Sequence, residues 1–321
     1  MKDTQIQNPA SWIGIDISKA QLDLDSRHPH LKLPSSVPNT PEGHQKLLKL
    51  IAQIPDIKII FEATGGYEKP LLLTLQKSKI YATRINPAQV RSFAKAKGLL
   101  AKTDKIDAKL LAHYGDLFTP KATLPIDPEL DELQDLIKYR RHLRAQLNRE
   151  KMQLEHKHCR PVTAMIRRRV AGLQKQLETL AKTITAQAKS SEALRPAVKI
   201  LTTVKGVADL TATSLLAAMP ELGTLTRKQA AALAGVAPIN CDSGTMRGRR
   251  KTYGGRSEIR QALYMASVVG ARFEPILKDF YQTLLAKGKP KKVALTAVMR
   301  KLLIHLNSLM RKHLEGLKST S

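Results

Sequence analysis

In the stretch KTDKIDAKLLA, residues 102–112, two aspartates stand three apart inside a strongly basic region. From Arg84 to Lys109 there are seven Lys or Arg and only two acids, Asp104 and Asp107. AKLLAHYG favours helix and Thr103 is a suitable N-cap, so both carboxylates are expected on one helical face, with Cβ atoms about 5–6 Å apart. First-turn acids complement the positive end of a helix dipole, at roughly 0.3–1 kcal/mol each. Salt bridging to the neighbouring lysines is disfavoured by spacing. Three and four residues from Asp104 stand Leu100, Ala101, Asp107 and Ala108; from Asp107 they are Thr103, Asp104, Leu110 and Leu111. Like charges so placed repel unless a cation lies between them. Taken alone, the pair suits either the helix dipole or a hard, oxygen-ligated metal.

Two further acids stand at telling places. Asp16 ends the apolar run WIGIDI, and Glu62 ends IKIIFEA. One such acid is commonly a solvent-facing strand end. Two of them, on strands expected to be sheet neighbours, together with a D-x-x-D helix, make a set of four carboxylates. Four carboxylates can hold two Mg²⁺ ions, which in phosphoryl-transfer sites lie about 3.5–4 Å apart.

These acids need a scaffold, and the periodicity supplies one. SWIGIDI, AQLDLD and LKLP read as strands, PEGHQKLLKLIAQI as a helix and IKIIFEAT as a strand. YEKPLLLTLQKS follows as a helix, IYATRINP as a strand and AQVRSFAKA as a helix before the Asp104 helix. The order β-β-β-α-β-α-β-α matches an RNase H-like α/β domain, a fold name taken from the architecture that shares this order. Prolines in TPKATLPIDPE mark a boundary near 120–128. Two helical stretches then run to about residue 190. Ile166, Val170, Leu173, Leu177, Leu180 and Ile184 form the seam of a helical hairpin or coiled coil, within one chain or between chains. From Leu194, ILTTVKGVADLTATSLLAAM reads as helix, glycine turn, helix. It is either an αα-corner or a helix-hairpin-helix presenting Lys205, Gly206 and a helix N-terminus to phosphate. The expected division is therefore 1–120, 121–193 and 194–321.

The chain of 321 residues carries 54 Lys plus Arg against 27 acids, a net charge of +27. Such an excess favours a polyanionic partner, most simply nucleic acid. It is uneven: residues 1–120 have a net of +6 and the remainder +21, which places the main grip after residue 120. Between Arg247 and Arg260 lie six basic residues and one acid among glycines at 244, 248, 254 and 255. Arg247, Arg249, Arg250, Lys251 and Arg256 in this loop are candidates for a nucleic-acid backbone. Thirteen aromatics argue against a base-stacking platform. No apolar run looks long enough to span a bilayer, and MKDTQIQNPASWIG lacks the apolar core of a signal peptide. Cys159 and Cys241 form no C-x-x-C pair and read as reduced thiols; HKHC (156–159) lacks a second cluster to complete a zinc site.

WIGIDISKAQLDLD, FEATGGYEKPL, INPAQVRSFAKAKGLLAKTDKIDAKLLAHYG and LAGVAPINCDSGTMRGRRKTYGGRSEIRQALYMA resemble the DEDD-type transposases of insertion-sequence family one-hundred-ten, relatives of the Piv-type DNA invertases. The resemblance spans about residues 12–312. It implies a RuvC-like, RNase H-fold N-terminal domain, a helical connector and a mostly helical C-terminal transposase domain. It implies catalytic, metal-holding roles for Asp16, Glu62, Asp104 and Asp107, and a nucleophilic serine in an S-G motif, here Ser243. Members act on donor and target DNA chosen by a noncoding bridge RNA, so the resemblance implies DNA, RNA and Mg²⁺ as partners. A homo-oligomer on nucleic acid and a cytoplasmic, nucleoid-associated location in a prokaryote are expected. Ser beside Gly in a polar loop is usually a turn residue. Beside Arg247, Arg249 and Arg250, however, a serine could attack phosphorus while guanidinium groups stabilise the developing charge. The rival readings are a RuvC-like junction nuclease, with water as nucleophile, and a non-enzymatic nucleic-acid-binding protein.

Overall fold

A computed structural model describes residues 12–26, 31–52, 54–98, 104–239 and 251–319, with residues 104–106 and 318 described by backbone alone. The chain divides into two compact units, Met1–Ile126 and Asp127–Ser321.

The first unit is a five-stranded mixed sheet with helices. Its strands are β1 (Trp12–Ile17), β2 (Gln21–Ser26), β3 (Ser36–Pro38), β4 (Lys58–Glu62) and β5 (Tyr81–Ile85), in the order β3-β2-β1-β4-β5. The first three are antiparallel, while β4 runs parallel to β1 and β5 to β4. The helices are α1 (Pro41–Ile51), α2 (Lys69–Lys77), α3 (Pro87–Ala96) and α4 (Asp104–Phe118). Sequence punctuation starts two of them. Thr40 caps α1 by accepting from the Gly43 amide, Asn86 caps α3 by accepting from Ala88, and each is followed by proline at the first helical position. Thr103, the expected cap of α4, lies outside the described residues.

Period-two alternation sends β1 to two cores. Ile13, Ile15 and Ile17 join Leu47, Leu71 and Leu72 on one face, and Trp12 joins Ile60, Leu110 and Leu111 on the other. The third strand is not LKLP, as the sequence suggested, but Ser36–Pro38 just after it. Leu31 and Leu33 instead pack sideways onto the sheet core, and the Leu24 amide donates to the Ser35 carbonyl. Pro34 cannot donate to a ladder, so pairing begins beyond it.

The second unit is helical: α5 (Pro128–Gln153), α6 (Arg160–Ser190), α7 (Leu194–Leu201), α8 (Asp209–Ala218), α9 (Arg227–Leu233), α10 (Ser257–Phe273), α11 (Pro275–Ala286) and α12 (Lys291–Lys318). The connector and C-terminal regions expected from the sequence both fall within it. The Ile166–Ile184 seam is used inside the chain. Val170, Leu173, Leu177 and Leu180 pack on Leu143 and Leu147 of α5, and Ile184 on Leu133. With α5 seated there, the seam lends no support to pairing between chains. By length and composition α12 could cross a membrane, which corrects the expectation that no such stretch exists. Its Val298, Leu302, Leu303 and Leu306 are fully buried in the helical core, the ordinary reason for an apolar helix.

Candidate active site

Asp16, Glu62 and the start of α4, which carries Asp104 and Asp107, are brought towards one end of one face of the sheet. In the parallel ladder Ile15 pairs with Phe61, so Asp16 and Glu62 follow as the next residues of adjacent strands, at their C-terminal ends. Asp16 shares its face with Trp12 and Gly14, and Glu62 shares its face with Ile60, by the alternation of strand side chains. Trp12 and Ile60 belong to the cluster that packs on α4, so both acids lie on the α4 side.

The helix is held down by two glycines. A Cβ on Gly14 would fall within 2.5 Å of the Ala112 amide nitrogen and closer still to the Ala108 carbonyl oxygen. A Cβ on Gly115 would lie 2.5 Å from Cδ2 of Trp12. These approaches also set direction. As β1 advances from Trp12 to Gly14, the facing position on α4 moves back from Gly115 to between Ala112 and Ala108. Two more strand residues rise about 6.6 Å, roughly four to five helical residues at 1.5 Å each. The start of α4, with Asp104 and Asp107, therefore stands level with Asp16. Asp107 is half-buried. For Asp104 only the helical backbone is described.

All these donors are carboxylate oxygens, a set suited to a hard divalent cation such as Mg²⁺ and unsuited to a soft metal. Among the described residues no three His, Cys, Asp or Glu side chains close around one point fit for an ion. The oxygen chemistry of the acids suits a hard metal, while the described side chains are not gathered around one point; the side chain of Asp104, the fourth acid, is outside the described set.

Sequence reasoning missed three acids here. Asp23 pairs directly with Asp16 across the hairpin, and Asp25 with Gly14, so both share the α4 face. Burial pushes the Asp25 carboxyl above its usual range, partly offset by Lys109 of α4 and the Ser26 amide. The D-x-D alternation of β2 was visible, but the register that sets it opposite Asp16 was not. The third is Glu68, only 4% exposed. One carboxylate oxygen accepts from the Thr64 amide (3.1 Å), the Thr64 hydroxyl (3.2 Å) and the Gly66 amide (2.9 Å), and the other from Arg84 Nη1 (3.4 Å). The turn after Glu62, with positive φ at Gly65 and Gly66, is thus tied to a buried anion. Burial alone would raise the Glu68 carboxyl; its own amide and those of Gly66 and Thr64, with Arg84, outweigh it and hold it below its ordinary value. A group with a depressed folded pKa stabilises the fold above its unfolded pKa, and loses that contribution as pH falls through the folded value. Glu68→Gln should therefore cost about 1.5–3 kcal/mol at pH 7, the range for hydrogen bonds to charged groups. The gap should close as pH drops below the carboxylate range. Urea unfolding at several pH values measures this, and a pH-independent gap would exclude the anion as its source.

In the second unit, α7 and α8 flank a turn containing Gly206 (φ +100°). A Cβ there would meet the Ala266 carbonyl oxygen at 2.6 Å, so the turn is backed by α10. The Lys205 amide donates to the Glu274 carboxylate (3.3 Å). This geometry is that of a corner packed on a helix, with Lys205 exposed. Arg256 is likewise engaged. Its Nη1 donates to the Ala218 carbonyl (2.8 Å) and Glu221 (2.9 Å), and its Nη2 to Glu221 (2.8 Å). That clamp holds the loop onto the end of α8.

Ser243, Arg247, Arg249 and Arg250 lie outside the described residues. Their flanks are described and tightly held. Ile239 and Lys251 form an antiparallel bridge, and the Arg256 amide donates to the Leu233 carbonyl (2.7 Å). Gly235 and Gly255 approach so closely that a Cβ on either would strike backbone. Lys251 itself is exposed.

Comparison with known proteins adds to this geometry. A transposase model of DEDD type matches residues 13–157, and the model described as "Transposase IS116/IS110/IS902 family" matches residues 198–282. The first covers the sheet, α4 and α5; the second covers α8 to α10 and the serine loop. The chain is also similar to the pilin gene-inverting proteins of Moraxella bovis and Moraxella lacunata. Each is 28% identical over 312 residues, covering 94% of this chain and 96% of the relative.

Proposed function

We propose that the chain, which matches two transposase models and is similar to the pilin gene-inverting proteins, is a DNA-recombination enzyme of the IS116/IS110/IS902 type: a Mg²⁺-dependent, serine-using recombinase that mobilises an insertion sequence under the direction of a noncoding RNA. One observation carries the catalytic part. Asp16 and Glu62 end adjacent parallel strands on the face covered by α4, whose first turn holds Asp104 and Asp107. Strand order β3-β2-β1-β4-β5, with the first three antiparallel, supports reading this unit as RuvC-like.

In this proposal the four carboxylates hold the metal, which when bound supplies charge stabilisation for phosphoryl transfer. The chain's own residues do the rest. Gly14 and Gly115 let α4 lie close enough to bring its acids to the strand ends. Glu68 fixes the turn that carries the chain away from Glu62. Ser243, from a loop whose flanks are clamped by Arg256 and the close approach of Gly235 to Gly255, attacks the DNA backbone. The three-part division at about 120 and 193 is retained as a functional one: catalytic acids, connector and serine-bearing region. The protein is placed in the cytoplasm, on DNA, as an oligomer when nucleic acid is bound.

The test is Asp107→Asn assayed on element-end DNA. Strand cleavage should fall by on the order of 10²–10³-fold, as when one stabilising group is removed from an active site. Mg²⁺ binding measured by calorimetry should weaken, with the circular dichroism spectrum and DNA affinity preserved. Wild-type cleavage by this variant would remove Asp107 from the site.

A further inference from the structure

Within the helical unit, α5, α8, α10 and α12 enclose a groove of about 770 Å³. Its basic residues are not equivalent. Lys138 is paired with Asp135 at 3.1 Å, and Arg141 with Glu258 across the groove. Arg260 donates to the Ala234 and Gly254 carbonyls. Arg140 and Arg144 remain, one helical turn apart on α5, and among the described residues neither forms an ion pair. The Nε of Arg140 is buried with no hydrogen-bond partner. Burial, with Arg144 adding like-charge repulsion, depresses the Arg140 pKa, yet a guanidinium stays protonated. Two neighbouring cations without carboxylate partners among the described residues are unfavourable in the absence of an anion, and a phosphate bound between their guanidinium groups would relieve that repulsion. Asn148, Thr211 and Gln261 line the same groove and add neutral hydrogen-bonding groups.

The groove is far larger than a lone phosphate needs, which favours a chain of phosphates over a free ion. We propose that it holds a run of sugar–phosphate backbone, gripped by the paired guanidinium groups of Arg140 and Arg144. The inference rests on the recombinase reading and adds to it a nucleic-acid grip made by residues other than the four acids and Ser243.

Fluorescence anisotropy of the full-length protein over a KCl series tests this, using duplex DNA, single-stranded DNA of the same sequence and RNA of equal length. The variant Arg140→Gln/Arg144→Gln is compared with Arg167→Gln/Arg168→Gln, which removes equal charge from exposed positions on α6. The groove variant should bind one of the three polymers at least tenfold more weakly. Its slope of log K against log salt should shrink by roughly 1.4–1.8, about 0.7–0.9 for each phosphate that is no longer neutralised. The polymer showing that change is the occupant. Arg144→Gln alone, at an exposed position, should give about half the slope change and guards against misfolding of the double variant. Equal weakening in groove and control variants, no weakening in either, or competition by polyglutamate as effective as by DNA would each overturn the inference. Wild-type protein that binds none of the polymers would overturn the recombinase reading beneath it instead.

Discussion

Replacing Gly14 with alanine is expected to disable the enzyme without touching a carboxylate. The new methyl group would be driven into the backbone of α4, at the Ala108 carbonyl and the Ala112 amide. Backbone cannot rotate aside as a flexible side chain can, so the helix must lift or the strand must bend. Overpacking of this kind costs roughly 1–3 kcal/mol, and obstruction by backbone puts Gly14 at the upper end. The functional cost follows from position. Gly14 is two residues before Asp16, and Ala108 is next to Asp107, so any separation here opens the site itself. Urea denaturation should show the unfolding of the first unit shifted to lower denaturant, and DNA cleavage should fall by at least a hundredfold even where the unit remains folded. Gly172→Ala is the control, since a Cβ there meets nothing within 4 Å. Unchanged stability and cleavage in Gly14→Ala would mean that α4 does not lie on β1 at this point.

The strands that carry Asp16 and Glu62 were legible because their apolar runs are strong and end in a single charged residue. Their adjacency was legible too, since a hairpin followed by alternating helices and strands leaves few sheet orders. What could not be read was depth. Gly14 in a strand reads as a weak point, and only the helix above it shows that the missing side chain is the fit. Glu68 looks like a surface acid at a helix start, because nothing local announces that Thr64 and Gly66 will turn their amides onto it. The clamp made by Arg256 was hidden for the converse reason. Counting charge in the loop registers a cation, but its partner Glu221 stands 35 residues earlier in the chain and meets it only through the fold. Arg140 and Arg144 went unnoticed among the many basic residues of α5. Their distinction is that the neighbouring Lys138 and Arg141 have carboxylate partners and, among the described residues, they do not.

Ser243→Ala is expected to separate the two chemistries that this acidic face could serve. If Ser243 is the nucleophile, its Oγ forms a bond to a backbone phosphorus as the bond from that phosphorus to one strand-end oxygen breaks. The serine proton passes to a base and the departing oxygen takes one up, so one phosphoester replaces another and the strand can be rejoined without an external energy source. A serine hydroxyl is weak at neutral pH and needs activation, which the carboxylate-held metal would provide once the serine loop and the acids meet in the assembled complex. The alanine variant should then yield no protein–DNA adduct under denaturing electrophoresis and no recombined product. Its nucleic-acid affinity and thermal unfolding should be unchanged. Ser243→Cys should retain a trace of adduct, because a thiolate can also attack phosphorus. Hydrolytic cleavage makes the opposite demand: water attacks, the acids suffice, and Ser243→Ala cuts DNA at a near-normal rate. Paired with Asp107→Asn the outcomes become diagnostic. Loss of all cleavage in both variants places serine and acids in one reaction, whereas loss in Asp107→Asn alone assigns the site to a nuclease and reduces Ser243 to a residue of the loop.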